Sequence, residues 1–152
     1  MRKALTLVVM AVAVGAPLSW AAGASATKVQ KEIRYVRLVA TNGFYVDNDP
    51  SGNSAGDLFG ATGNLTHNGA KVGTFSDACT AFSALQGQCD VTFLWNSGDR
   101  LQLAGEVRVP DVKNHLSIVG GTGKYKKARG DATMTRLDDQ GSVQRVRLRI
   151  YR

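Results

Sequence analysis

From Ile33 onward, hydrophobic and polar residues alternate with a period of two, in short runs broken by turn formers. That period belongs to strands, and no stretch carries a sustained helical repeat. Ile33 to Val46 is the longest run, with a bulge or bend expected at Asn42-Gly43. A polar loop, Asp47 to Gly56, precedes a strand over Asp57 to Thr66. Asn68-Gly69 is a hairpin turn, because both positions tolerate positive φ. Strands follow over Ala70 to Ala84 and Cys89 to Trp95. Next, Leu101, Leu103, Val107 and Val109 face away from Arg100, Gln102, Glu106 and Arg108. His115 to Val119 and Ala132 to Leu137 are shorter. The last run sets Val146, Leu148 and Ile150 against Arg145, Arg147 and Arg149.

About eight strands with short connections pair antiparallel. They predict an all-β, eight-stranded, antiparallel up-and-down β-barrel, which leaves no exposed edge; a two-sheet sandwich is the alternative. An eight-stranded barrel either fills its lumen with side chains or holds one small ligand.

The start of the chain changes the compartment. Arg2 and Lys3 precede an apolar stretch, Leu5 to Ala16, too short to span a bilayer, and Ala24-Ser25-Ala26 forms an A-x-A site. Residues 1–26 therefore read as a signal peptide, and 27–152 as one exported domain with no membrane span. A membrane anchor is the alternative for the apolar stretch. The chain has 19 Lys and Arg against 12 Asp and Glu. Without Arg2 and Lys3 it remains basic, though not extremely so. Export permits disulfides, and Cys79 and Cys89 are the only cysteines, flanking the turn-like Leu85-Gln86-Gly87-Gln88. A bridge across a hairpin is expected, with a reactive thiol as the alternative.

Gly120 to Gly130 reads GGTGKYKKARG. A P-loop needs Ser or Thr after its Gly-Lys and a helix behind it, but Tyr125 follows Lys124 and no helical pattern follows. A nucleic-acid loop is allowed by the lysines, yet stacking aromatics are few, so no nucleic-acid partner is expected. The architectural reading is that the glycines let a strand bend at a barrel corner while Tyr125 tucks inward and the lysines face water.

This block resembles the GGTG-x-Y/F-xx-ARG signature of the allene oxide cyclase and dirigent barrel superfamily. Four further features agree in order: Ala55-Gly56-Asp57-Leu58, Gly69 to Gly73 (GAKVG), Asp77-Ala78-Cys79 and Leu103-Ala104-Gly105. With its leader and cysteine pair, the chain resembles the secreted bacterial allene-oxide-cyclase-barrel-like proteins more than the plant enzymes. The resemblance implies a barrel with an apolar lumen open at one end. It also implies activities that fold a small hydrophobic molecule into one conformation: cyclisation of an epoxide or polyketide, or steering of radical coupling. None of these needs a metal or organic cofactor. Related barrels form dimers or trimers, so a homo-oligomer is possible.

On this resemblance Asp57 is a candidate general base, Arg129 a carboxylate or oxyanion partner, and Tyr125 a hydrogen-bond donor into the lumen. Each has a plainer role: a turn aspartate, a structural ion pair, an aromatic plug. Dirigent enzymes often carry an acid after GGTG; Lys124 stands there instead and weakens a dirigent-type mechanism. Tyr35, Phe93 and Trp95 are candidate ligand-binding lumen walls or ordinary core.

No metal site is expected. His67 and His115 are remote and supply no zinc set, and Asp47-x-Asp49-x-Ser51-Gly52 lacks the Glu that a calcium loop needs, with Leu58 in its place. The arginines of the last strand form a solvated outer face or a surface for an anionic partner, such as wall polymer or lipid headgroups. Two functions stand: a cofactor-free cyclase, isomerase or stereochemical guide, and a non-catalytic carrier or accessory protein.

Overall fold

A computed structural model describes residues 29–152; the expected signal peptide, residues 1–26, lies outside them. The described chain forms eight strands: β1 (Lys31–Val46), β2 (Leu58–His67), β3 (Ala70–Ser83), β4 (Gln86–Trp95), β5 (Arg100–Arg108), β6 (Lys113–Gly121), β7 (Arg129–Arg136) and β8 (Val143–Tyr151). Each pairs antiparallel with its neighbours in sequence, and β1 pairs with β8, closing the barrel. The expected bend in β1 is a register shift between Ala40 and Asn42.

Closure converts the period-two pattern into an inside and an outside. Leu38, Leu65, Phe93, Leu101, Leu148 and Ile150 point into the lumen and are 0–1% exposed. Each such side chain, buried, contributes about 1.5–3 kcal/mol. Cys79 and Cys89 stand directly opposite one another on β3 and β4 and are bridged, as expected of a cysteine pair across a hairpin.

The two ends of the barrel differ. At one end, GGTGKYKKARG makes a lid. A single 3-10 turn, Gly123–Tyr125, lays the Tyr125 ring across the lumen, fully buried, 6.1 Å from the Trp95 ring. Lys124, Lys126 and Lys127 face water. Asp99 fixes the turn: its carboxylate accepts from the Lys124 N–H (3.1 Å) and the Ser97 hydroxyl (2.7 Å). Two glycines make this possible. Gly123 has φ +58°, and a Cβ there would fall 1.9 Å from the Asp99 carboxylate. A Cβ on Gly121 would fall 2.0 Å from the Arg100 carbonyl oxygen and 2.9 Å from the Tyr125 Cβ. The block is barrel architecture. The opposite end is framed by the 47–57 loop and the β3–β4, β5–β6 and β7–β8 connections, and it is open.

Gly121→Ala should lift Tyr125 from its seat and cost about 1–3 kcal/mol, the usual price of overpacking. Denaturant unfolding measures this; an unchanged midpoint would show that the glycine contact does not hold the lid.

Candidate functional site

In the open half the lumen is hollow. A cavity of about 310 Å³ runs down from the mouth, walled by Val91, Leu116, Met134, Phe59, Val107 and the Cys79–Cys89 bridge. A second hollow of about 250 Å³ shares Phe59 and Val109 with it and lies under the 47–57 loop. A shallower depression of about 530 Å³ lies on the outer wall, lined by outward-facing residues such as Thr62, Thr74, Ser76 and Thr92. It is not part of the lumen.

Four ionisable side chains line the lumen cavity: Asp77 and Arg136, from the inward phase of their strands, and Arg108 and Asp111, where β5 leads into β6 at the mouth. Asp77 stands on β3 in the inward phase, between Phe75 and Cys79. One carboxyl oxygen accepts from the Ala61 N–H at 2.6 Å, and among the described residues no cation pairs with the group. Burial pushes its pKa above the usual carboxylate value of 3.8, against a smaller lowering by the Ala61 bond. A carboxyl of this kind serves as proton donor and acceptor. Arg136 follows Met134 in the inward phase of β7. It donates one bond, to the Val109 carbonyl at 3.0 Å, and no carboxylate among the described residues pairs with it. Asn114 also reaches the wall, but both its amide atoms bond the Arg108 backbone (2.8 and 3.3 Å) and staple the β5–β6 connection. Gln144 donates to the Gly141 carbonyl.

The residues singled out by motif lie elsewhere, and they do not form one constellation. Asp57 is 1% exposed but lines only the smaller hollow. Both its oxygens are occupied, by the Tyr45 hydroxyl (2.6 Å), the Ser54 N–H (2.7 Å), the Asn48 N–H (2.9 Å) and the Ser54 hydroxyl (3.2 Å). The Tyr45 bond, foremost, holds its pKa down at about 2, and the same bond raises Tyr45 to about 12. So low a pKa unsuits it as a general base; it pins the 47–57 loop. Arg129 begins β7 at the lidded end, so Asp57 and Arg129 sit at opposite ends of the barrel. Its exposed guanidinium bonds the Ala128 and Val119 carbonyls (2.7 and 3.2 Å). Tyr125 lies in the lid, away from the cavity, and burial raises its hydroxyl to about 12. Phe93 and Trp95 point inward as expected, but into the filled half, edge to face at 6.5 Å. Tyr35 does not line the lumen. It is 53% exposed, because Val36 and Leu38 take the inward phase of β1 and leave it on the outer face.

Asp77 and Arg136 were legible from phase alone. Asp77 interrupts the inward series Phe75, Cys79, Ala81, and Arg136 extends Ala132, Met134. Among the described residues, no three His, Cys, Asp or Glu side chains are placed to hold a metal.

Asp57 titrates near pH 2 in the fold and near 3.8 when unfolded. The stability it contributes is therefore full above pH 3.8 and is lost as the pH falls toward 2. Asp57→Asn should lower Tm at neutral pH and flatten its decline across that acid window. A variant whose acid profile matches the wild type would show that Asp57 does not pin the loop.

No protein-family profile matches the chain, and no curated protein matches it by sequence. Solved structures do match. Pyocyanin demethylase superposes with a TM-score of 0.70 at 17% identity, covering 78% of this chain and 99% of that one. One pterocarpan synthase dirigent protein gives 0.64 at 18% identity (82% and 88% covered), and a second gives 0.59 at 19% (82% and 94%). The superpositions agree with the fold expected from the sequence: this chain shares its closed eight-stranded barrel fold with pyocyanin demethylase and the pterocarpan synthase dirigent proteins.

Proposed function

We propose that this chain is an exported, cofactor-free isomerase or cyclase that takes one small, flat, largely apolar molecule into the open half of its lumen. The observation that carries the reading is Asp77: a half-buried carboxyl with one oxygen bonded to the Ala61 N–H, facing a cavity whose apolar wall is Val91, Leu116, Met134 and Phe59 and whose polar groups include Arg108, Asp111 and Arg136. A volume of about 310 Å³ is at the small end of ligand sites and suits a compact ring system. The structural neighbours whose names specify a small-molecule activity, pyocyanin demethylase and the pterocarpan synthases, support the same class of occupant. The Cys79–Cys89 bridge supports export.

The chemistry follows from Asp77 and Arg136. Asp77, ionised, takes a proton from a C–H or O–H activated by a neighbouring carbonyl. The electron pair left behind moves into the conjugated system or onto the closing bond, and Asp77 returns the proton to another atom of the same molecule. Atoms and electrons balance within the substrate, so no oxidant or reductant is consumed. Arg136, at the mouth, holds an oxygen that gains negative charge. The rigid wall supplies the rest by fixing one conformer of a flexible substrate.

A panel of polycyclic phenols and phenazines, pyocyanin included, tests this by thermal shift and product analysis. A binder should raise Tm, and Met134→Trp, which fills the cavity, should abolish that shift. Asp77→Asn keeps an acceptor for Ala61 and removes a half-buried charge, so its Tm at pH 7 should be no lower than wild type. It should still bind, with turnover reduced about 10²-fold or more. Equal turnover by Asp77→Asn would overturn the proton-transfer role. Binding with no product from the wild-type protein would favour the carrier reading.

A further inference from the structure

The outer wall opposite the large depression carries an unusual array of charge. On the outward phase of β6, β7, β8 and β1, cross-strand register places Lys113 beside Thr135, Thr135 beside Arg145, and Arg145 beside Arg37. The next row sets His115, Thr133, Arg147 and Tyr35 side by side, and the third sets Asp131, Arg149 and Ile33. Five cations thus share this face with one carboxylate. Asp131 pairs with Arg149 at 3.5 Å; among the described residues, Arg37, Arg145 and Arg147 pair with no acid and donate no side-chain hydrogen bond. Arg147 is the most telling. Its Nε is shielded from solvent yet has no acceptor.

Such an arrangement is costly alone. Arg37 and Arg145 stand directly opposite one another, and like charges in that position destabilise a sheet. A solvated face would do better with alternating signs. An anionic partner removes the cost and supplies the acceptor that Arg147 lacks.

We infer that this face binds an acidic polysaccharide, with carboxylate or sulfate groups seated in the arginine forks. Guanidinium matches both groups with two parallel hydrogen bonds. Successive arginines on β8 lie about 7 Å apart and neighbouring strands about 5 Å, so the array offers several forks to one chain. Thr133 and Thr135 lie between the cations and bond sugar hydroxyls as donor or acceptor. Tyr35, 53% exposed beside Arg147, gives a flat apolar surface for a sugar ring. Two other polyanions fit less well. Single-stranded nucleic acid stacks successive bases on several aromatics, and this array offers two rings, Tyr35 and His115, at opposite ends of one row. A bilayer is planar and meets a convex barrel wall along a narrow strip, whereas a flexible polymer follows the curve.

The test uses polygalacturonate and dextran sulfate as probes, with neutral dextran, a single-stranded oligonucleotide and anionic phospholipid vesicles alongside. The wild-type protein should bind one or both acidic polysaccharides and not neutral dextran. The two acidic probes distinguish carboxylate from sulfate. Arg37→Gln/Arg145→Gln/Arg147→Gln should weaken binding at least about tenfold and reduce the salt slope by about one per arginine removed. Arg100→Gln/Lys126→Gln/Lys127→Gln makes the same change in net charge at the lidded end and should leave binding intact. The patch variant should melt no lower than wild type, since it relieves repulsion; if it fails to fold, Arg145→Gln alone reads the same effect at smaller amplitude. Equal losses in the two triple variants would overturn the proposal, as would equal or tighter binding to the oligonucleotide or the vesicles, or no binding to either polysaccharide.

Discussion

The pairing of β1 with β8 is the constraint on which the rest of the structure depends. An open sheet of this sequence would leave its inward residues half wet and two edges unsatisfied. Closure gives each strand two partners and gives every inward side chain a place in one shared lumen. Function then turns on volume. Where Phe93, Leu103, Leu148 and Tyr125 meet, the lumen is full; where Ala61 and the cystine replace large side chains, it is not. A tapered filling of one barrel makes a solid base and a hollow mouth.

The same geometry explains the electrostatics of the site. A carboxyl in the filled half would have no room, and one on the rim would be solvated and ordinary. Asp77 sits between, buried enough for desolvation to outweigh its bond from Ala61. Asp57 shows the contrast. It is more deeply covered by its own loop, yet four donors stabilise its charge and drive its pKa the other way. Two aspartates in one barrel thus differ because one meets four donors and the other a single backbone N–H.

The fold was largely legible in the sequence because period-two alternation is a local signal. The eight strands, the bend in β1, the hairpin bridge and the role of Gly121, Gly123 and Tyr125 all follow from neighbours in the chain. The site was less so. A motif draws attention to Asp57, Arg129 and Tyr125, but those residues hold a loop and a lid, which is why their spacing is distinctive. The hollow is made by side chains from many strands whose volumes fall short together, and no single stretch records that shortfall. Phase would have singled out Asp77 and Arg136 as polar residues in an inward series, and it would have put Tyr35 outside, since Val36 and Leu38 hold the interior.

The central claim is a lumen filled at one end and hollow at the other. A crystal structure of the protein under xenon pressure tests it most directly, since xenon enters apolar voids and leaves packed cores untouched. The account predicts xenon against Val91, Leu116 and Met134, and none among Phe93, Leu148 and Tyr125. A lumen without xenon throughout, with side chains closed over Asp77, would contradict it.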